Sequence, residues 1–249
     1  MRLSTIVAAL LAASFLSTGA YAQEADESGK GFYAGLSGGI AAVQDTDIRY
    51  YYVGGTFGGS GATDSVDGRI HAKSTAAFNG VLGYDFGTLR ADVEVAYQRN
   101  KVSALSIDKV NGAAVTLNAG DVADVCDYLE ASGCSLSGNT ISFGSGSRLR
   151  QLSALANLWI DLPIGHVITP YAGGGVGVAG FEIDGEGKAR FAWQLGAGVA
   201  VKLSNHVSLT VDYRHRQARG GNLSYDAVSG ADIGSIRTNS GSAGLRFTF

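Results

Sequence analysis

The stretch 237–249, RTNSGSAGLRFTF, alternates without a break. Gly241, Ala243, Leu245, Phe247 and Phe249 fall on one parity, and Ser240, Ser242, Gly244, Arg246 and Thr248 on the other. A β-strand has a side-chain period of two, so the pattern gives one apolar, aromatic face and one polar face. The apolar face has to be covered by lipid or by a second protein layer.

The same period recurs upstream. In 207–216, Val207, Leu209, Val211 and Tyr213 oppose Ser208, Thr210, Asp212, Arg214 and Arg216. In 191–203, Phe191, Trp193, Leu195, Ala197, Val199, Val201 and Leu203 oppose Gln194, Gly196, Gly198 and Lys202. In 89–97, Leu89, Ala91, Val93, Val95 and Tyr97 oppose Arg90, Asp92 and Glu94. In 151–162, Leu152, Leu158, Ile160 and Leu162 oppose Gln151, Ser153, Asn157 and Asp161, although Leu155 and Trp159 share the polar face. Segments 32–40, 72–86 and 169–181 complete a set of eight strands, and glycine obscures the faces of the first and last. Glycine is abundant at 37 residues and proline scarce at two, which suits small-residue strands around a tight interior.

The connections alternate in length. Tight turns at 85–88, 163–166 and 203–206 lie between long connections at 43–68, 102–147 and 220–236, with a shorter one at 184–187. A soluble sandwich has no reason to alternate in this way, whereas membrane barrels pair short periplasmic turns with long extracellular loops. The aromatic-ended strand at 237–249 resembles the closing strand of bacterial outer-membrane barrels. The run Thr169-Pro-Tyr-Ala-Gly-Gly-Gly-Val-Gly resembles a strand of the outer-membrane protein A-like and Opa-like surface barrels. The expected fold is therefore all-β: an eight-stranded antiparallel transmembrane up-and-down β-barrel over 31–249. By the same resemblance, Phe247 and Phe249 form the signal read by the barrel assembly machinery. Some members carry a peptidoglycan-binding domain after the barrel, and none is expected here.

Arg2, the apolar run 6–16 and the small-x-small site Ala20-Tyr21-Ala22 read as a secretory signal at 1–22, followed by a polar lead-in at 23–30. The apolar run is too short to span a bilayer as a helix. The expected location is thus the bacterial outer membrane, with outer-membrane lipid and lipopolysaccharide as surroundings. A formal net charge of −3 with no basic stripe argues against nucleic acid as a partner.

On the polar parity, Arg90, Asp92, Glu94, Asp161, Lys202, Asp212, Arg214, Arg216 and Arg246 form a candidate lumen charge network. Both signs are present, so pairing across a narrow interior is expected, giving either a polar plug or a small gated ion path. Cys126 and Cys134, in an exported chain, read as a disulfide. It would tie a short helix, with Val122, Val125, Cys126 and Leu129 on one face, Asp121 as N-cap and Gly133 at its end.

Arg49 with Tyr50, Tyr51 and Tyr52 reads either as part of an aromatic girdle or as a contact patch for a host or cell-surface ligand. Neither a metal site nor a cofactor is expected. Some small barrels of this kind modify lipid A, but no catalytic motif is legible. His215 has no serine partner in its strand, His206 and Ser208 lie at a periplasmic turn, and His71 and His166 read as strand-end and turn residues. The expectation is a non-enzymatic structural and surface-interaction protein, with a diffusion pore as the alternative.

Overall fold

The computed structural model describes residues 30–54, 63–145, 147–162, 164, 166–183 and 186–249. The expected signal peptide and most of the lead-in lie outside the described residues. In chain order the elements are β1 (Gly31–Val43), β2 (Thr46–Tyr52), β3 (Asp64–Ala72), β4 (Thr75–Asp85), β5 (Leu89–Val110), β6 (Ala113–Ala114), α1 (Ala119–Tyr128), β7 (Ser135–Ser137) and β8 (Thr140–Ser142). There follow β9 (Arg148–Asp161), β10 (Ile168–Ile183), β11 (Glu186–Lys202), β12 (Val207–Ala218), β13 (Gly221–Ser224), β14 (Ser229–Ile233) and β15 (Ile236–Thr248).

Eight of these strands close on themselves. The antiparallel pairings run β1–β4–β5–β9–β10–β11–β12–β15 and back to β1, where Ala34 lies opposite Phe247 and Val43 opposite Thr238. Closure leaves the ring without a free edge, the condition for spanning lipid with strands. The alternation read from the sequence decides which face points where. Phe32, Leu36, Ile40, Phe78, Leu82, Val93, Val95, Leu158, Leu195, Val211, Leu245 and Phe249 are exposed on the outside. Asp92, Glu94, Gln98, Asn157, Gln194 and Arg216 are buried within. The outward residues of β1 from Phe32 to Ile40 rise roughly 20–25 Å at ordinary strand rise and tilt, close to the expected apolar band of about 25 Å.

The glycine-rich strand also resolves. On β10, Tyr171, Gly173, Gly175, Gly177 and Ala179 face inward. Gly173 pairs with Trp159 and Gly175 with Asn157 on β9. A Cβ at Gly175 would lie 1.9 Å from the Asn157 Oδ1, and one at Gly173 2.8 Å from the Trp159 ring. The glycines make room for the two large inward side chains beside them. Leu155 and Trp159, the apparent intruders on the polar face, are buried inside the ring at 1% and 2% exposure.

The long connections are structured rather than open. β5 continues past the ring to Val110, with Ala104 and Ser106 still buried. There it pairs with β3 and β8, and a second sheet runs β13–β14–β2–β3–β5. The strand expected at 72–86 is β4, from Thr75 to Asp85; Ala72 ends β3, and both β3 and β4 pair antiparallel with β5. Bulges between Asp67 and Gly68 and between His71 and Ala72 bend this layer.

Helix α1 packs Val122, Val125, Cys126 and Leu129 against Ile107, Ile141 and Phe143. Its N-cap is Asn118, whose side-chain oxygen accepts the N–H groups of Gly120 and Asp121. Asp121 is the third helical residue and accepts the Asn118 N–H at 2.8 Å, closing a capping box. The expected N-cap at Asp121 is thus three residues too late. The helix also stops at Tyr128, well before Gly133.

Candidate functional site: the filled lumen and the extracellular layer

The middle of the lumen is organised by three carboxylates. Glu94, 0% exposed, accepts hydrogen bonds from Arg216 Nη2 at 2.6 Å and Gln194 Nε2 at 2.9 Å, and from Arg214 Nη1. Asp92 accepts Tyr33 Oη at 2.7 Å, Trp159 Nε1 at 2.9 Å and Asn157 Nδ2 at 2.7 Å. Asp212 accepts Arg214 Nε at 2.7 Å, Ser242 Oγ at 3.1 Å and Tyr171 Oη at 3.1 Å. Gln194 further joins Asn157 and Arg216.

Nearer the short-turn end, Arg90 Nε donates to Asp161 Oδ2 at 2.7 Å, and its guanidinium lies 4.8 Å from the Tyr171 ring centre. Arg246 lies over the Tyr33 ring, and its buried Nε and Nη1 have no protein acceptor among the described residues. They border a cavity of ≈ 40 Å³ between Tyr33, Arg90, Asp92, Tyr171 and Asp212, enough for a few waters.

Toward the opposite end Gln98, Asn100, Gln151 and Thr238 interlock. Among them, Val43 opposite Thr238, Leu149 opposite Asn100 and Phe181 opposite Gln151 join Ile236 in an apolar cluster that reaches down to Leu155, opposite Glu94.

Eight of the nine expected network charges meet here. Lys202 does not: it has inward parity but is exposed at the ring's short-turn mouth. Sequence reasoning missed the neutral members Tyr33, Asn157, Gln194 and Tyr171. Asn157 and Gln194 were legible by parity, but only the register shows that they bridge the charges.

In the extracellular layer, the disulfide Cys126–Cys134 joins α1 to the segment before β7, with Cα atoms 6.6 Å apart. The tyrosine run is not at the membrane interface: Tyr50 lies opposite Val66, and Val66 opposite Val110, at the far end of the layer. Its position overturns the girdle reading. Tyr50 stacks on Tyr225 at 5.4 Å and meets Tyr128 edge-on, and burial raises its phenol above the ordinary value. Tyr51 Oη accepts Asn222 Nδ2 at 2.8 Å, while Tyr52 stays exposed.

Arg49 Nε donates to Asp67 Oδ1 at 2.5 Å and holds that carboxyl below its usual range. Asp226 is likewise lowered, by the backbone N–H groups of Val228 and Ser229. Beneath Tyr50 lies an apolar cavity of ≈ 130 Å³, bounded by Val66, Ile70, Leu105, Ile107, Leu129 and Phe143.

One further chain was hidden from the sequence. Asp45 Oδ1 lies 2.8 Å from His71 Nδ1, and His71 Nε2 lies 2.7 Å from Ser106 Oγ. The order is that of an Asp-His-Ser relay. Ser106 is 5% exposed, however, and its hydroxyl is also bonded to Thr140 Oγ1 at 2.8 Å. A buried hydroxyl held on both sides offers no approach to a substrate carbonyl, so the chain fastens β3, β5 and β8 together. His215 Nδ1 shares Asn239 Oδ1 with Tyr213 Oη on the outer face. Among the described residues no group of His, Cys, Asp and Glu has a metal-binding arrangement.

Comparison with known proteins agrees with this architecture. Curated relatives include uncharacterised proteins of Brucella abortus (strain 2308), 26% identical over 216 residues, and of Brucella melitensis, 26% identical over 214; each alignment covers 71% of this chain and 69% of the relative. Among solved structures, Neisserial surface protein A is 15% identical, covering 88% of this chain and 97% of that one with a TM-score of 0.48. The outer membrane protein AlkL is 17% identical, covering 94% and 97% with a TM-score of 0.45. The outer membrane protease OmpT from Escherichia coli is 9% identical, covering 87% and 97% with a TM-score of 0.44. Residues 8–249 match the family described as the outer membrane protein beta-barrel domain, and the chain belongs to that family of the bacterial outer membrane.

Proposed function

We propose that this protein is a non-enzymatic surface-display barrel: a plugged transmembrane ring that holds a folded layer outside the cell for contact with host molecules, lipopolysaccharide or other cells. The observation that carries the reading is the contrast between two interiors. The lumen is filled by mutually hydrogen-bonded side chains interleaved with an apolar cluster, whereas the outer layer has its own apolar core, helix and disulfide. A conducting path needs a continuous wet lumen, and a display element needs a rigid exposed scaffold.

Single-channel recording from the refolded mature chain in a planar bilayer tests the first half. A folded, silent barrel is expected, and reproducible discrete openings would replace the reading with a diffusion pore. Replacing 111–139 by a short Gly-Ser turn tests the second. The ring should still show heat-dependent gel mobility, while adhesion of expressing bacteria to host cells falls; unchanged adhesion would move the contact elsewhere.

Phe247 and Phe249 are exposed on the outer face at the short-turn end, where Phe249 N–H donates to the Phe32 carbonyl at 2.8 Å. Their place there supports a role as the assembly signal. Deleting Phe249 should lower the amount of protein in the outer membrane severalfold yet leave refolding of the purified chain unchanged; equal amounts in cells would refute it.

A further inference from the structure

The outer wall of the ring carries an unusual arrangement where β5 meets β9. Arg99 lies directly opposite Arg150, and Lys101 directly opposite Arg148. All four alternate with buried neighbours, Gln98, Asn100, Leu149 and Gln151, so all four share the outward face. Lys73, also exposed, adjoins them: its backbone N–H donates to the Lys101 carbonyl at 2.8 Å. Like charges placed directly across an antiparallel pair destabilise it, and here two such pairs are stacked. Among the described residues the cluster meets one carboxylate, Glu182, which accepts Arg150 Nη1 at 2.8 Å. Lys101 Nζ donates to the Gly144 carbonyl, which engages its protons without neutralising its charge.

The height of the cluster is equally specific. On β5 the outward residues run Val93, Val95, Tyr97, Arg99, Lys101. Tyr97 closes the apolar band, and Arg99 is the next outward residue, about 7 Å further along the strand. Aromatic side chains mark the level where acyl chains give way to headgroups. The cations therefore stand at headgroup level, at the end of the ring away from the short turns, facing lipid sideways.

We infer that Lys73, Arg99, Lys101, Arg148 and Arg150 form a binding site for the phosphate groups of a phosphorylated glycolipid of the outer leaflet, the lipid A moiety of lipopolysaccharide. Guanidinium groups bind phosphate oxygens in a bidentate fork, and a basic residue near an anionic membrane surface contributes about 1 kcal/mol. A bound bisphosphorylated headgroup turns the repulsion across β5 and β9 into attraction. Glu182 limits the net charge of the empty site.

The test uses the mature chain refolded in phosphatidylcholine vesicles, with readouts of the heat-modifiability midpoint and of lipid A half-saturation. Bisphosphorylated lipid A should raise the midpoint of the unsubstituted chain and of R237Q, which removes one rim charge on a distant strand. In R99Q/R148Q, half-saturation should require about thirtyfold more lipid A, the loss of two contacts of about 1 kcal/mol each. An equal affinity in R99Q/R148Q and R237Q would overturn the proposal. So would an equal midpoint rise with lipid A stripped of its phosphates, or with soluble inositol hexakisphosphate in vesicles lacking lipid A. Should R99Q/R148Q fail to refold, E182Q decides: tighter lipid A binding is expected, and unchanged or weaker binding would sink the idea.

Discussion

At the scale of single residues, the lumen depends on Glu94 more than on any other side chain. It is 0% exposed and bonded to both Arg214 and Arg216. Glu94→Gln keeps the shape, removes the carboxylate paired with Arg216 and leaves Arg214 with Asp212 alone. Breaking a buried ion pair from one side costs about 3–5 kcal/mol, so the urea midpoint of the refolded barrel should fall markedly. A midpoint within error of the unsubstituted chain would mean that water, rather than Glu94, balances those arginines. Ser106 should behave in the opposite way. The unsubstituted chain should take up no fluorophosphonate label, and a label lost in Ser106→Ala would show the Asp45–His71–Ser106 chain to be reactive. Parity revealed the lumen charges in advance because a period of two is a local property. The Asp45–His71–Ser106 chain stayed invisible because its members come from the β1–β2 link, β3 and β5 and meet only through the register of β3 against β2 and β5.

At the scale of elements, the disulfide and the cap act on the outer layer and not on the ring. Removing the short cross-link in Cys126→Ala/Cys134→Ala should cost about 2–3 kcal/mol locally, and Asn118→Ala about 1 kcal/mol. Hydrogen exchange of 115–143 should quicken in both variants while ring amides stay protected; faster exchange throughout the ring would show that the two parts unfold together. Acid acts on a different edge. Arg49 holds Asp67 below the ordinary carboxylate value of about 4, so their pairing contributes fully above that value and is lost as pH falls through the lowered one. Exchange along β2 and β3 should therefore rise only in strong acid, and a rise near neutrality would contradict the assignment. The helix was legible from its apolar face, but its start was misplaced. Asn118 and Asp121 are both good caps three residues apart, and the reciprocal hydrogen bonds decide between them.

For the whole molecule, the ring was legible because alternation and turn length are both written along the chain. The outer layer was not. Its strands pair segments distant in sequence, as β14 with β2 and β3 with β5, and nothing local distinguishes such a strand from a polar loop. Trp159 and Leu155 show the same limit inside the ring: they break the polar parity, and only the facing glycines of β10 show why.

β5 runs unbroken from Leu89 to Val110, through the membrane and into the outer sheet. It works as a mast. Beyond Tyr97 it climbs about 30 Å at a tilt that uses most of that length as height, so the layer stands fixed within the sugar zone around it instead of swinging above it. On the surface-display reading proposed above, a large partner reaches Tyr52 and its neighbours only past the sugars of the surrounding leaflet, and the length of those sugar chains sets who can arrive.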